Sequence, residues 1–232
     1  FRDGEAGRRH NPEFTLLEWY RVGFNHHRLM DETAALVTEL LAGRLLLSPP
    51  ERLSYQEIFQ QHLGLDPHRV TVTELAAGAA AQNVAIPPGM PLTDPDPWLD
   101  LLLTHCIEPK LGRGRLTFIY DYPVSQAALA RLRPGDPPVG ERFELYLHGV
   151  ELANGFHELG DAGEQRRRFA AENGARRAAG WPEMPMDEPL LAALAAGLPD
   201  CAGVALGFDR LVMLAAEKTT LADVMAFSFE RA

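Results

Sequence analysis

With 232 residues, 46% of them hydrophobic and 23% charged, the chain has the make-up of a soluble globular protein with a full core, in one large domain or two small ones. Its 22 Lys and Arg against 32 Asp and Glu give a net charge of −10, which excludes a broad electrostatic grip on nucleic acid and leaves room only for a local basic patch. No apolar run reaches the length of a membrane span, no signal peptide is seen, and Cys106 and Cys201 stand far apart in no metal-ligand spacing, as reduced core thiols of a cytoplasmic protein do.

The chain opens Phe1-Arg2-Asp3, without a methionine and as if inside a structured element, so preceding sequence is expected. Phe14 to Tyr20 (FTLLEWY) predicts a buried strand. From His27 to Leu41, Leu29, Met30, Thr33, Leu36, Val37, Leu40 and Leu41 recur at helical spacing, and Gly43 ends the run. Ser54-Tyr-Gln-Glu57 is a capping box for a short helix ending near Gly64, and Thr71-Val-Thr-Glu74 is a second one for an alanine-rich helix. The proline-rich stretch Ile86 to Trp98 predicts a loop, and Leu99 to Leu111 a helix with Leu102, Leu103, Cys106 and Ile107 turned inward. Leu116 to Tyr120 predicts a strand, Asp161 caps a basic helix, Pro189 to Ala196 forms another, and Gly203 to Leu214 reads as strand, glycine bend and helix. Strands on both sides of an all-helical stretch, about 27–112, predict one α+β domain: an antiparallel sheet flanked by helices, with a helical insertion.

The stretch Glu141 to Leu159 (ERFELYLHGVELANGFHEL) carries the clearest pattern. Phe143, Leu145 and Leu147 alternate with Arg142, Glu144 and Tyr146, and His148-Gly149 is a tight turn from which Val150 to Phe156 returns. Pairing Leu147 with Val150, Tyr146 with Glu151 and Glu144 with Ala153 puts Glu144 and Glu151 on one face, roughly 7 Å apart. Two such carboxylates repel, and magnesium carrying a nucleotide is a natural cation between them. On spacing alone the pattern is equally that of a solvated strand with two unrelated glutamates.

Two further segments carry chemistry. Arg2, then Arg8-Arg9-His10-Asn11-Pro12-Glu13-Phe14, then Glu18 and Tyr20, combine guanidinium forks suited to phosphate with an aromatic face suited to a base. Ala205-Leu-Gly207-Phe-Asp-Arg210 places an arginine in the first helical turn behind a glycine bend, an arrangement that favours a phosphate tail. The arginines of the basic helix, Arg166, Arg167, Arg168, Arg176 and Arg177, are either a surface for an acidic partner or a solvated face.

In this order the segments FR…RHNPEF…E, ERFELY…GVELANGFHEL and GVALGFDR resemble motif 2, the lysine-subgroup pocket and motif 3 of class II aminoacyl-tRNA synthetases. Within that class EWYR, ELANGFHEL and PDCAGVALGFDRLVML look most like the elongation factor P lysine lysyltransferases, paralogues of lysyl-tRNA synthetase without an anticodon-binding domain. The resemblance implies the class II catalytic fold, with its dimer-forming motif 1 upstream of Phe1. It implies ATP and Mg2+ as cofactors, lysine or (R)-β-lysine as substrate, elongation factor P as acceptor in place of tRNA, and a homodimer. It places Arg2 on the α-phosphate, Asp3, Gly4 and Leu152 along the nucleotide, His10 and Asn11 on ATP, and Phe14 under adenine. Glu144 and Glu151 bind magnesium and ATP, Gly207 gives close backbone access, and Arg210 takes the γ-phosphate. Glu18, Tyr20, Asn154, Phe156 and Glu158 line the amino-acid pocket, with Ala205 as its floor where lysyl-tRNA synthetases have glycine. Two consequences follow. Asn154 points away from Glu151 in a regular hairpin, so a bulge near Gly155 is expected. Relatives carry glutamate where this chain has Gly4, and Glu5 is the adjacent substitute. A lysyl-tRNA synthetase catalytic domain, and a silent synthetase-like binding module, stand as the other readings.

Overall fold

The computed structural model describes residues 1–2 and 4–231; Asp3, expected beside the nucleotide, lies outside the described residues. Its centre is a seven-stranded sheet whose long strands run β1 (Leu16–Val22), β7 (Cys201–Gly207), β6 (Val150–His157), β5 (Val139–Leu147), β3 (Arg115–Pro123) and β2 (Ser48–Ser54), with the two-residue β4 (Leu132–Arg133) paired to β5. All pairs are antiparallel except β2 with β3.

Alternation along these strands separates two cores. Phe143, Leu145 and Leu147 face one way and pack with Leu29, Met30, Val37 and Leu41 of α1 (His26–Leu41) and with Leu211 and Leu214 of α7 (Phe208–Ala215). Tyr146, Ile119 and Tyr122 face the other way and join Tyr55, Phe59 and Trp98. Those last three come from α2 (Tyr55–Leu63) and α4 (Asp96–Leu102), between which runs α3 (Val72–Ala81). Both capping boxes form, at Ser54 with Glu57 and at Thr71 with Glu74, because each hydroxyl and each carboxylate satisfies a free amide of the first turn. Two helices complete the chain, α5 (Ala162–Ala178), capped by Asp161, and α6 (Glu188–Ala196).

Four expectations need correction. Phe14 to Tyr20 leads into the edge strand β1, which is exposed except for the half-buried Trp19; its apolar residues have no second strand to cover them among the described residues. The all-helical stretch at 27–112 contains β2, and α1 packs on the main sheet, so the separate helical core begins at Tyr55. The helix at Leu99 to Leu111 is three pieces: α4 gives way to a π-turn at Leu103–Ile107 and a 3₁₀ turn at Glu108–Lys110. The inward residues Leu102, Leu103, Cys106 and Ile107 are nonetheless buried as expected. Last, the hairpin bulge lies at Leu152.

That bulge is what builds the site. The turn at His148 and Gly149 has both φ angles positive, 52° and 68°, which matches the right-handed twist of the strands it joins. Leu147 then pairs with Val150 and Tyr146 with Glu151, but Leu145 pairs with Ala153 and Glu144 with Asn154. Leu152 is the extra residue, and inserting it reverses the parity of everything after it. Glu151, Asn154 and Phe156 therefore share the face of Arg142, Glu144 and Tyr146. Gly155 is glycine for a different reason: a Cβ there would fall 2.6 Å from the Phe143 ring and 2.8 Å from the Gly203 carbonyl oxygen.

Candidate active site

Register carries one face of the sheet across four strands. Glu18, Ala205, Asn154 and Glu144 are successive partners in β1, β7, β6 and β5, and Tyr20, Gly203, Phe156 and Arg142 form the next row. These rows floor a cavity of about 310 Å3, walled by the segment before β1 and by the start of α7. Every expected site residue that is described borders this cavity except Gly4 and Glu144. Gly4 occupies a left-handed turn at φ 76°, suited to glycine, and Glu5 beside it both lines the cavity and pairs with Arg2 at 3.7 Å. Glu144 is buried just beneath the cavity.

One end of the cavity is rich in cations. Arg210, held in the first turn of α7, donates from Nη1 to the Glu151 carbonyl at 2.9 Å and approaches the Glu151 carboxylate at 3.3 Å. Its Nη2 lies 2.9 Å from His10 Nε2, and its Nε donates to the Arg9 carbonyl at 3.3 Å. Burial, and then the Arg210 charge, hold His10 below the usual histidine range, so its nitrogen can accept from the guanidinium. Arg2 lies over the Phe14 ring, 5.4 Å from its centroid. Asn11 is buried, and its amide is occupied internally: it donates to the Glu13 carbonyl and accepts from the Phe229 amide.

Beneath this end lies a carboxylate cluster. Glu144 accepts from Arg142 Nη2 and from the Tyr146 hydroxyl, both at 2.5 Å. Glu108, from the 3₁₀ turn, reaches to 3.3 Å from the same hydroxyl, and burial followed by the Glu144 charge raises its pKa. Burial, then Glu144, pushes Glu151 up to about 7 despite the Arg210 contact. The guanidiniums therefore leave the cluster short of positive charge, and all its donors are oxygens. A hard divalent cation such as magnesium fits that deficit and that donor set.

The other end suits an amino acid. Burial pushes Glu158 up to about 7, and burial, then Glu158 and Glu18, raise Tyr20. A Cβ on Gly203 would meet Glu158 Oε1 at 2.5 Å and the Tyr20 ring at 2.6 Å, so only glycine lets that carboxylate and that ring close over the strand. Gly203, Arg142 and Glu108 are the site residues that the sequence did not single out. Arg142 shared the face of Glu144 in the alternation and also donates to Asn154 at 3.3 Å, which was the available signal. Glu108 had none, since a three-piece helix brings it in.

A nucleotide-suited end and an ammonium-suited end on one antiparallel sheet define a class of protein, and the sequence comparison agrees with it. Residues 1–231 match the family described as tRNA synthetases class II (D, K and N), and the chain belongs to that family. Among curated proteins, the "Elongation factor P--(R)-beta-lysine ligase" of Salmonella dublin is 52% identical over 235 residues, covering 100% of this chain and 70% of the relative. Proteins of the same name from Salmonella paratyphi B and Salmonella heidelberg match to the same extent.

Proposed function

We propose that this chain activates (R)-β-lysine with ATP and transfers it to a lysine side chain of elongation factor P. The observation that supports the reading is the shared sheet face, which gathers an arginine-rich end, suited to phosphates, and the half-buried Glu158 carboxylate, suited to an ammonium, around one cavity. The identity with ligases of that name across the whole chain supports the choice of substrates.

In the first step the substrate carboxylate attacks the α-phosphorus in line, and pyrophosphate leaves. Arg2 holds the α-phosphate and Arg210 the γ-phosphate, so the charge spread over the phosphates meets guanidiniums already in place. Arg210 is pre-set by Glu151 and His10. Phe14 stacks under adenine, Asn11 shapes the wall from within, and Gly207 leaves the backbone open to the nucleotide. Glu144 and Glu151 would hold Mg2+, which would neutralise phosphate oxygens. Glu158 pairs with a substrate ammonium, with Glu18, Tyr20, Asn154 and Phe156 around it. In the second step the neutral ε-amine of the acceptor lysine attacks the adenylate carbonyl, and AMP leaves. The reading includes a cytoplasmic homodimer that does not use tRNA.

The test is amino-acid-dependent ATP–pyrophosphate exchange with (R)-β-lysine and with α-lysine. Exchange supported by both, with (R)-β-lysine preferred, is expected. No exchange with either leaves the silent binding module as the reading.

A further inference from the structure

On the opposite face of the sheet, a second group of side chains converges that this reaction does not use. Glu141 and His157 stand one step along their strands from Arg142 and Phe156, so alternation turns them away from the cavity. His26 comes down from the first turn of α1. One donor atom from each of His26, Glu141 and His157 lies within 4.8 Å of the other two. His26 is 1% exposed, and neither of its ring nitrogens has a hydrogen-bond partner among the described residues. Asp121 Oδ1, 3.5 Å from His26 Nε2, is also buried without a hydrogen bond. A buried imidazole with Nδ1 unpartnered and Nε2 in only a long contact with Asp121 costs stability, and a ligand on either nitrogen recovers it.

The surroundings hold these groups in place. His157 Nδ1 contacts Glu141 Oε2 at 2.6 Å and His157 Nε2 contacts Asp200 Oδ1 at 2.9 Å. Arg133 pairs with Asp121 and, at 3.8 Å, with Glu141. We infer that His26, His157 and Glu141, with Asp121 as a fourth donor, form a binding site for a divalent transition metal of the zinc type. Two imidazoles with carboxylates are the donor set of such ions, whereas magnesium takes oxygen donors, which separates this site from the carboxylate cluster of the cavity. Donors about 2.1 Å from a tetrahedral ion stand about 3.4 Å apart. The widest separation, up to 4.8 Å, therefore closes by up to about 1.4 Å, while the 2.6 Å His157–Glu141 pair opens by about 0.8 Å as the metal replaces the proton between them. A bound ion would tie the start of α1 to the ends of β5 and β6, directly behind Phe156 and Glu158.

The test is zinc retention by the whole chain after dialysis against Zn2+ and passage over a weak chelating resin, with Co2+ as a spectroscopic probe. The wild type is expected to retain about one zinc per chain, to show a visible Co2+ spectrum of nitrogen and oxygen ligation, and to melt at a higher temperature with zinc than without. His26→Ala and Glu141→Gln should each weaken binding roughly tenfold or more. Glu151→Gln, and Cys106→Ser with Cys201→Ser, should leave it unchanged. Circular dichroism identifies a variant that fails to fold; if His26→Ala fails, Glu141→Gln decides. No zinc retained by the wild type, equal retention by the two ligand variants, or loss on removing the thiols overturns the site.

Discussion

The helix α5 and the cavity are both crowded with charge, but they resolve it differently. On α5, Arg166 pairs with Glu188, Arg167 and Arg168 with Glu164, and Arg177 with Glu183, at 2.6 to 3.0 Å. Hydrogen bonds from these arginines hold all three carboxyls below the usual carboxylate range. In the cavity, burial pushes Glu151 and Glu158 up to about 7. The surface helix finds its partners within the chain and has little charge left for an acidic visitor. The cavity carboxylates are held in protein without full compensation, which is the condition of a site whose partners arrive as ligands.

The difference also has a sign in pH. A carboxyl whose folded pKa is depressed stabilises the fold at neutral pH, and that contribution is lost as pH falls through the folded value. A carboxyl raised by burial acts in reverse: its folded form favours the proton, so stability is lost as pH rises from the ordinary carboxylate range to about 7.

Removing charges from the two regions should give effects of very different size. The largest is expected for Glu151→Gln, which keeps shape and removes charge: ATP–pyrophosphate exchange should fall about 100-fold or more with melting temperature preserved. Normal exchange would reject Glu151 as a magnesium and ATP residue. Next, Glu158→Gln should raise KM for the amino acid about 10- to 100-fold, since a buried ammonium loses its counter-charge. In the wild type, kcat/KM for the amino acid should climb with pH as Glu158 and Glu151 ionise near 7, and Glu158→Gln should lose the part of this climb that Glu158 contributes. A variant that keeps the whole climb removes Glu158 from ammonium recognition. Ala205→Gly, deleting one methyl from the floor between Glu18 and Asn154, should relax preference toward α-lysine by about 1–3 kcal/mol, and an unchanged isomer ratio would separate Ala205 from selectivity. Smallest, Arg177→Ala on α5 should leave melting temperature and exchange essentially unchanged, because its ion pair is screened by solvent. A large loss there would dissolve the contrast between the two regions.

Much of the architecture was legible because local rules and burial agree. The two capping boxes, the His148-Gly149 turn, the α1 stripe apart from the exposed Leu40, and the strand–bend–helix at Gly203 to Leu214 each follow from spacing that the tertiary structure has no reason to override. Alternation also put Glu144 with Glu151, since Glu151 lies between the turn and the bulge, where the period-two pattern still holds. The need for a bulge could be read from Asn154, but its position could not. Gly155 drew attention as the conformationally free residue, whereas its small size serves the Phe143 ring, and the extra residue is an ordinary leucine. The exposure of β1 was illegible for another reason: its sequence is apolar, and only the sheet order reveals an edge. Glu108 and the His26, Glu141 and His157 group come together from distant segments, a juxtaposition that one-dimensional spacing does not encode.

The claim that this cavity makes an aminoacyl adenylate for a protein acceptor is tested most directly by offering the chain labelled (R)-β-lysine, ATP and Mg2+ with either elongation factor P or tRNA. Label on a lysine side chain of elongation factor P, with AMP released in equal amount and tRNA left uncharged, is the expected result. Efficient charging of tRNA with no label on the protein would contradict it and make the chain a lysyl-tRNA synthetase catalytic domain.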